Sequence, residues 1–119
     1  MVSIARTPLR ISFIGGGTDF PDFYLKYGGG VISSAINKYV YVYTSSKFDK
    51  KIRLSYSKNE NVKNIRDIKH PLIKKIFQKY KIKDNLELIS LADIPSQGTG
   101  LGSSSAFIIS TISSINFKV

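Results

Sequence analysis

Three glycines alternate at Gly98, Gly100 and Gly102, and Ser103, Ser104 and Ser105 follow directly. Glycine takes backbone angles closed to other residues, so successive N–H groups of such a loop can turn toward one point with no Cβ in the way. With Thr99 and Leu101 between them, the glycines form a nest suited to an anion. Serines at the start of a helix can cap orphan N–H groups, or offer hydroxyls to a phosphate or its metal. A Ser-capped helix after a plain turn is the competing reading, and the strand-to-helix context favours phosphate binding over it. The loop lacks the terminal Gly-Lys-Ser/Thr of a Walker A motif and the GxGxxG spacing of a dinucleotide fingerprint.

A second constellation lies at Gly15, Gly16, Gly17, Thr18 and Asp19. Asp19 is a turn or cap residue on position alone. Beside three glycines it also suits a ligand that must approach the backbone closely, and a carboxylate accepts polyol hydroxyls well. His70 is the one histidine of the chain, and without a visible partner it gives little support to catalysis.

These residues need elements to hold them. Ile4 to Ile14 reads as a strand ending at the first glycine run, with Pro8 marking an edge or an irregular start. Phe20 to Tyr24 reads as an aromatic-closed turn. Ala35 to Tyr43 reads as a long strand, with Val40 and Val42 on one face and Tyr39, Tyr41 and Tyr43 covering a half-exposed other face. Phe48 to Tyr56 supplies another strand after a turn at Asp49 to Lys51, and Ser57 to Asn64 reads as a polar loop. Pro71 opens a helix whose buried stripe is Leu72, Ile73, Ile76, Phe77 and Tyr80. Asn85 to Ile94 is a strand with Leu86, Leu88 and Leu91 inward, leading into the Gly/Ser loop. Phe107, Ile108, Ile112 and Ile115 then recur at helical intervals, which makes the helix after the loop central. The pattern is α+β: a mixed sheet with a central phosphate-loop helix, in one domain or part of a larger one.

Composition narrows the class. Hydrophobic residues make up 42% of the 119, enough for a packed core. No apolar run is long enough for a transmembrane helix, and the N-terminal stretch has no long apolar core of a signal peptide, so a cytoplasmic protein is expected. With no cysteine there is no disulfide, thiolate or Cys-based zinc chemistry. Eighteen Lys plus Arg against eight Asp plus Glu give a net charge of +10, which suits phosphorylated small molecules. The cations are scattered from Lys47 to Lys83 without an Arg-rich block or an RNP-like motif, so neither nucleic acid nor membrane is expected as a partner.

Two stretches together resemble the GHMP small-molecule kinases: Pro8 through Asp19, read PLRISFIGGGTD, and Pro95 through Ala106, read PSQGTGLGSSSA. Within that superfamily the chain looks most like the heptose 7-phosphate kinases and their sugar-kinase relatives, over about the first third of such an enzyme. The resemblance implies that Gly98 to Ser105 receive ATP phosphates, that Ser104 offers a hydroxyl to Mg2+, and that Gly16, Gly17, Thr18 and Asp19 bind the sugar. It implies for Arg10 a place near the reacting hydroxyl and the transferred phosphoryl group, where a cation stabilises developing charge. The expected reaction is ATP-dependent phosphorylation of a phosphosugar, heptose 7-phosphate at its anomeric hydroxyl, for surface polysaccharide. Fucose or galactose is the alternative sugar, and a non-catalytic nucleotide- or anion-binding module the alternative class. The family's catalytic aspartate, acidic magnesium ligand and third motif lie downstream of these stretches. The segment alone is therefore expected to lack most of the activity, and its uncovered apolar face to favour self-association.

Overall fold

A computed structural model describes residues 2–82, 85–95 and 98–116. Five strands form one mixed sheet: β1 (Val2–Ile14), β2 (Ile32–Ser46), β3 (Ile52–Ser55), β4 (Asn59–Val62) and β5 (Leu86–Ala92). Their spatial order is β1-β2-β5-β3-β4, with β3 and β5 parallel and the other pairs antiparallel. Among the described residues there are also three α-helices, α1 (Pro21–Tyr27), α2 (Pro71–Lys79) and α3 (Ser103–Asn116), and a short 3-10 helix, Ile65–Asp67. The α+β reading holds, and Pro8 does lie on an edge strand, where its missing N–H leaves no gap in an interior ladder.

Side chains alternate across a strand, so the sheet has two unlike faces. Val40, Val42, Ile52, Leu54, Leu86 and Leu88 point to one face and are buried. Ile73, Ile76 and Phe77 of α2 join the same core, as the helical spacing predicts. On the other face Tyr39, Tyr41 and Tyr43 are half-buried, and Arg6 stacks its guanidinium 4.5 Å from the Tyr39 ring centre. Leu91 belongs to this second face. It pairs with Tyr41 and is 66% exposed, contrary to the inward placement expected of it, because it stands an odd number of residues from Leu86 and Leu88.

Three further expectations are corrected. Ser57 to Asn64 is not all loop: Asn59–Val62 pairs with β3 as an edge strand. Phe20 to Tyr24 is not merely a turn. Pro21 at the first helical position, Asp22 in the first turn and Lys26 in the last start and support α1, and Gly28, at φ 72°, ends it. This helix has no buried residue, so no apolar stripe announces it.

The third correction concerns α3. Its fully buried residues are Ala106, Ser110, Thr111, Ser114 and Ile115, whereas Phe107, Ile108 and Ile112 are only partly buried. Small side chains let the helix lie close on β1 and β2, and their hydroxyls then need partners. Ser110 Oγ donates to Thr7 Oγ1, and Thr44 Oγ1 donates to the Ser114 carbonyl at 3.1 Å. The helix is central as expected, but it docks through a small polar seam together with Ile115, with Phe107, Ile108 and Ile112 at its flanks.

Candidate functional site

The loop at 98–102 is built on left-handed backbone. Gly98, Gly100 and Gly102 have φ of 74°, 66° and 73°, a region that costs a side-chain-bearing residue energy. Their alternation in the sequence is thus required by the conformation itself. α3 begins at Ser103, and the Ala106 N–H closes its first turn on the Gly102 carbonyl at 3.0 Å. Ser104 and Ser105 are exposed beside the loop. Residues 96 and 97 of the second motif lie outside the described residues.

The first motif reaches this loop through a break in β1. Pairing jumps from Pro8 opposite Tyr39 to Arg10 opposite Ala35, a bulge that leaves Leu9 in the core at 1% exposure. Arg10 then donates its N–H to the Leu101 carbonyl at 3.0 Å. Its side chain lies over the loop, since a Cβ placed on Gly102 would come 3.3 Å from Arg10 Cγ and Nε. The structure thus brings Arg10 and the Gly98–Gly102 loop together.

The GGGTD turn is organised differently. Thr18 Oγ1 donates toward the carbonyls of Gly15 (2.8 Å) and Gly30 (3.0 Å), and it accepts the Gly30 N–H at 3.1 Å. Thr18 is therefore the clasp between the two glycine runs. Gly15, at φ 88°, admits no Cβ, which would sit 1.9 Å from the Gly30 carbonyl oxygen. Gly17 has open surroundings, a Cβ on Gly16 would only touch Ser12 Oγ at 3.5 Å, and Asp19 is exposed. Asp93 closes the neighbouring strand end, accepting the Tyr39 N–H at 2.9 Å.

A cleft of about 440 Å³ opens beside the start of α3, and Ser103, Ser104 and Phe107 form one wall. Tyr56, His70 and Ile94 also line it. His70 caps α2 by accepting the Ile73 N–H on Nδ1 at 3.4 Å, so its neutral form carries its proton on Nε2. Burial holds its pKa below the ordinary histidine value, although the Glu60 carboxylate works the other way. The solitary histidine is thus a helix cap and a cleft wall, a role that only the fold reveals. Sequence reasoning also missed Glu60, a buried carboxylate on β4 that accepts hydrogen bonds from the Tyr56 hydroxyl and the Lys69 and His70 N–H groups. A Glu in a polar stretch gives no sign of burial.

A loop of successive N–H groups opening at a helix N-terminus, with apolar and aromatic walls beside it, suits a ligand that joins a phosphate chain to a flat ring system. The residues fit such a ligand: Cβ atoms at Gly98 and Gly100 would point into open space, and Ser103 and Ser104, which directly follow the loop, line the cleft. A metal is less well provided for. No group of three His, Cys, Asp or Glu able to hold one occurs among the described residues.

No family model matches the chain. It is 32% identical to the D-glycero-alpha-D-manno-heptose 7-phosphate kinase of Campylobacter jejuni over 120 residues, covering 90% of this chain and 35% of that one. Among solved structures it superposes on a D-glycero-D-manno-heptose 1-phosphate kinase from Bacteroides thetaiotaomicron with a TM-score of 0.82 at 20% identity, over 97% of this chain and 41% of the other. A protein from Campylobacter jejuni described as a sugar kinase gives 0.76 at 26% identity, over 98% and 39%. The chain has the fold of the N-terminal part of the GHMP kinases and resembles them in sequence. It spans little more than a third of the curated relative's length. No helix among the described residues is long and apolar enough to cross a membrane.

Proposed function

We propose that residues 1–119 are the N-terminal ATP-binding segment of an ATP-dependent sugar kinase, acting in the cytoplasm on heptose 7-phosphate at its anomeric hydroxyl in the supply of surface polysaccharide. The observation that carries this reading is the bond from Arg10 N–H to the Leu101 carbonyl, which fastens the first motif to the second. The 32% identity to a heptose 7-phosphate kinase supports the choice of sugar.

Gly98 to Ser105 would hold the nucleotide phosphates with backbone N–H groups and the start of α3, whose partial positive charge stabilises an anion by up to about 2 kcal/mol. ATP would supply the phosphoryl group, and Mg2+ would arrive on its phosphates and gain a hydroxyl from Ser104. Asp19, exposed at the turn, would accept sugar hydroxyls, with Gly16 and Gly17 leaving room for the ring. Arg10, held at the loop, would place its guanidinium where charge develops during transfer. Asp22 in the first turn of α1, Asp49 paired with Lys47 and Asp93 accepting the Tyr39 N–H are given no catalytic part.

Two measurements test the reading. Equilibrium titration of this chain with ATP and Mg2+ should show binding. Phosphoryl transfer to heptose 7-phosphate should appear only when the chain is joined to the remaining two-thirds of the Campylobacter jejuni relative. Binding without transfer in either form would leave a nucleotide-binding module, and no binding at all would remove the kinase reading.

A further inference from the structure

We infer that Glu60 is a positioning residue for the nucleotide, holding Tyr56 against His70 so that these two rings and Phe107 present a fixed wall to the base. The inference rests on the nucleotide-binding reading above. Glu60 lies on β4, which among the described residues pairs only with β3, and is 9% exposed. A carboxylate so placed must be hydrogen-bonded to remain charged. Its Oε1 accepts the Tyr56 hydroxyl at 2.7 Å and the His70 N–H at 3.2 Å, and its Oε2 accepts the Lys69 N–H at 2.7 Å. One side chain thereby ties the β3–β4 turn to the residues that enter α2.

The rings continue the connection toward the loop. Tyr56 and His70 meet edge-on with centroids 4.7 Å apart, and His70 and Phe107 are tilted at 5.6 Å. All three line the cleft, whereas Glu60 does not. Phe107 stands on α3 one turn beyond Ser103 and Ser104, so the wall is continuous with the phosphate-type loop. Burial and the Glu60 carboxylate push the Tyr56 hydroxyl up to about 12, so it stays a proton donor to Glu60 at every physiological pH. Aromatic faces stack on bases with little regard to their edges. The wall would therefore add affinity for the base without touching the phosphates.

That separation supplies the test. Titration calorimetry on the 119-residue chain would compare ADP with inorganic tripolyphosphate, which carries the anion but no base. Tyr56→Phe keeps the ring and removes the link to Glu60, and Glu60→Gln keeps the size and removes the charge. Both variants are expected to bind ADP about threefold to tenfold more weakly and tripolyphosphate as the parent does. Equal weakening of both ligands, or an unchanged ADP affinity in Tyr56→Phe, would overturn the positioning role. A parent chain that binds tripolyphosphate but gains nothing from the base of ADP would overturn the wall while leaving the loop. A parent that binds neither would remove the nucleotide reading itself.

Discussion

Arg10 and Leu101 are joined by a backbone hydrogen bond of 3.0 Å, ninety-one positions apart in the chain by their residue numbers, and the Arg10 side chain rests on Gly102. β1 is an edge strand, whose outward N–H groups are free of the ladder, and the register shift at Leu9 falls just before the one that reaches Leu101.

Gly102 should therefore be the least replaceable glycine of the loop. Gly102→Ala meets two obstacles, a φ of 73° and an Arg10 side chain 3.3 Å away, whereas Gly100→Ala meets only its φ of 66°. Left-handed strain costs about 1–2 kcal/mol per residue. Thermal melts should show both variants destabilised, Gly102→Ala more so, and only Gly102→Ala should shift Arg10 NMR resonances. Equal effects from the two would remove the role given to Arg10 packing.

The clasp at Thr18 makes a second prediction. Thr18→Val keeps the shape but loses the one hydroxyl proton shared between the Gly15 and Gly30 carbonyls and the acceptor of the Gly30 N–H. At a partly exposed site this should cost about 1 kcal/mol, and Thr18→Ser should restore most of it. Gly15→Ala should be far worse, since its Cβ would sit 1.9 Å from a carbonyl oxygen. Denaturant midpoints for the three variants check the order. A Thr18→Val midpoint equal to the parent's would show that the glycine runs are held by something else.

Much of this arrangement was legible in the sequence because each motif carries its own local cause. Alternate glycines before a serine run indicate left-handed turns at a helix start, and Val40/Val42 against three tyrosines indicate a two-faced strand. What escaped was set by tertiary partners. Glu60 is buried only because Tyr56, Lys69 and His70 converge on it, and α3 docks through Ser110 and Ser114 because the sheet supplies Thr7 and Thr44. Helix α1 escaped for the opposite reason: with no face buried, it has end signals but no apolar period.

The α3 seam can be tested by a double-mutant cycle. Ser110→Ala alone leaves Thr7 Oγ1 without the hydroxyl that donates to it, and should cost about 1–2 kcal/mol. Adding Thr7→Val removes the stranded partner, so the double variant should be more stable than the sum of the single changes. Strict additivity in urea unfolding would mean that the Ser110–Thr7 bond contributes nothing to docking.

Acid should weaken the fold in two steps. Burial lowers the His70 pKa from its ordinary 6.5. The unfolded chain therefore binds a proton below pH 6.5 that the native chain resists, and stability falls as pH drops through that value. For Glu60, burial acts to raise the pKa, but the Lys69 N–H, the Tyr56 hydroxyl and the His70 N–H outweigh it and leave it below 4.5. Its contribution is complete above pH 4.5 and is lost as pH falls through the lower folded value. Urea midpoints followed from pH 8 to pH 3 should decline first near neutrality and again in strong acid. His70→Gln should abolish the first decline and Glu60→Gln the second. A parent curve flat from pH 7 to pH 5 would mean that His70 titrates in the folded chain as freely as in the unfolded one, and the cleft wall would then be open to solvent.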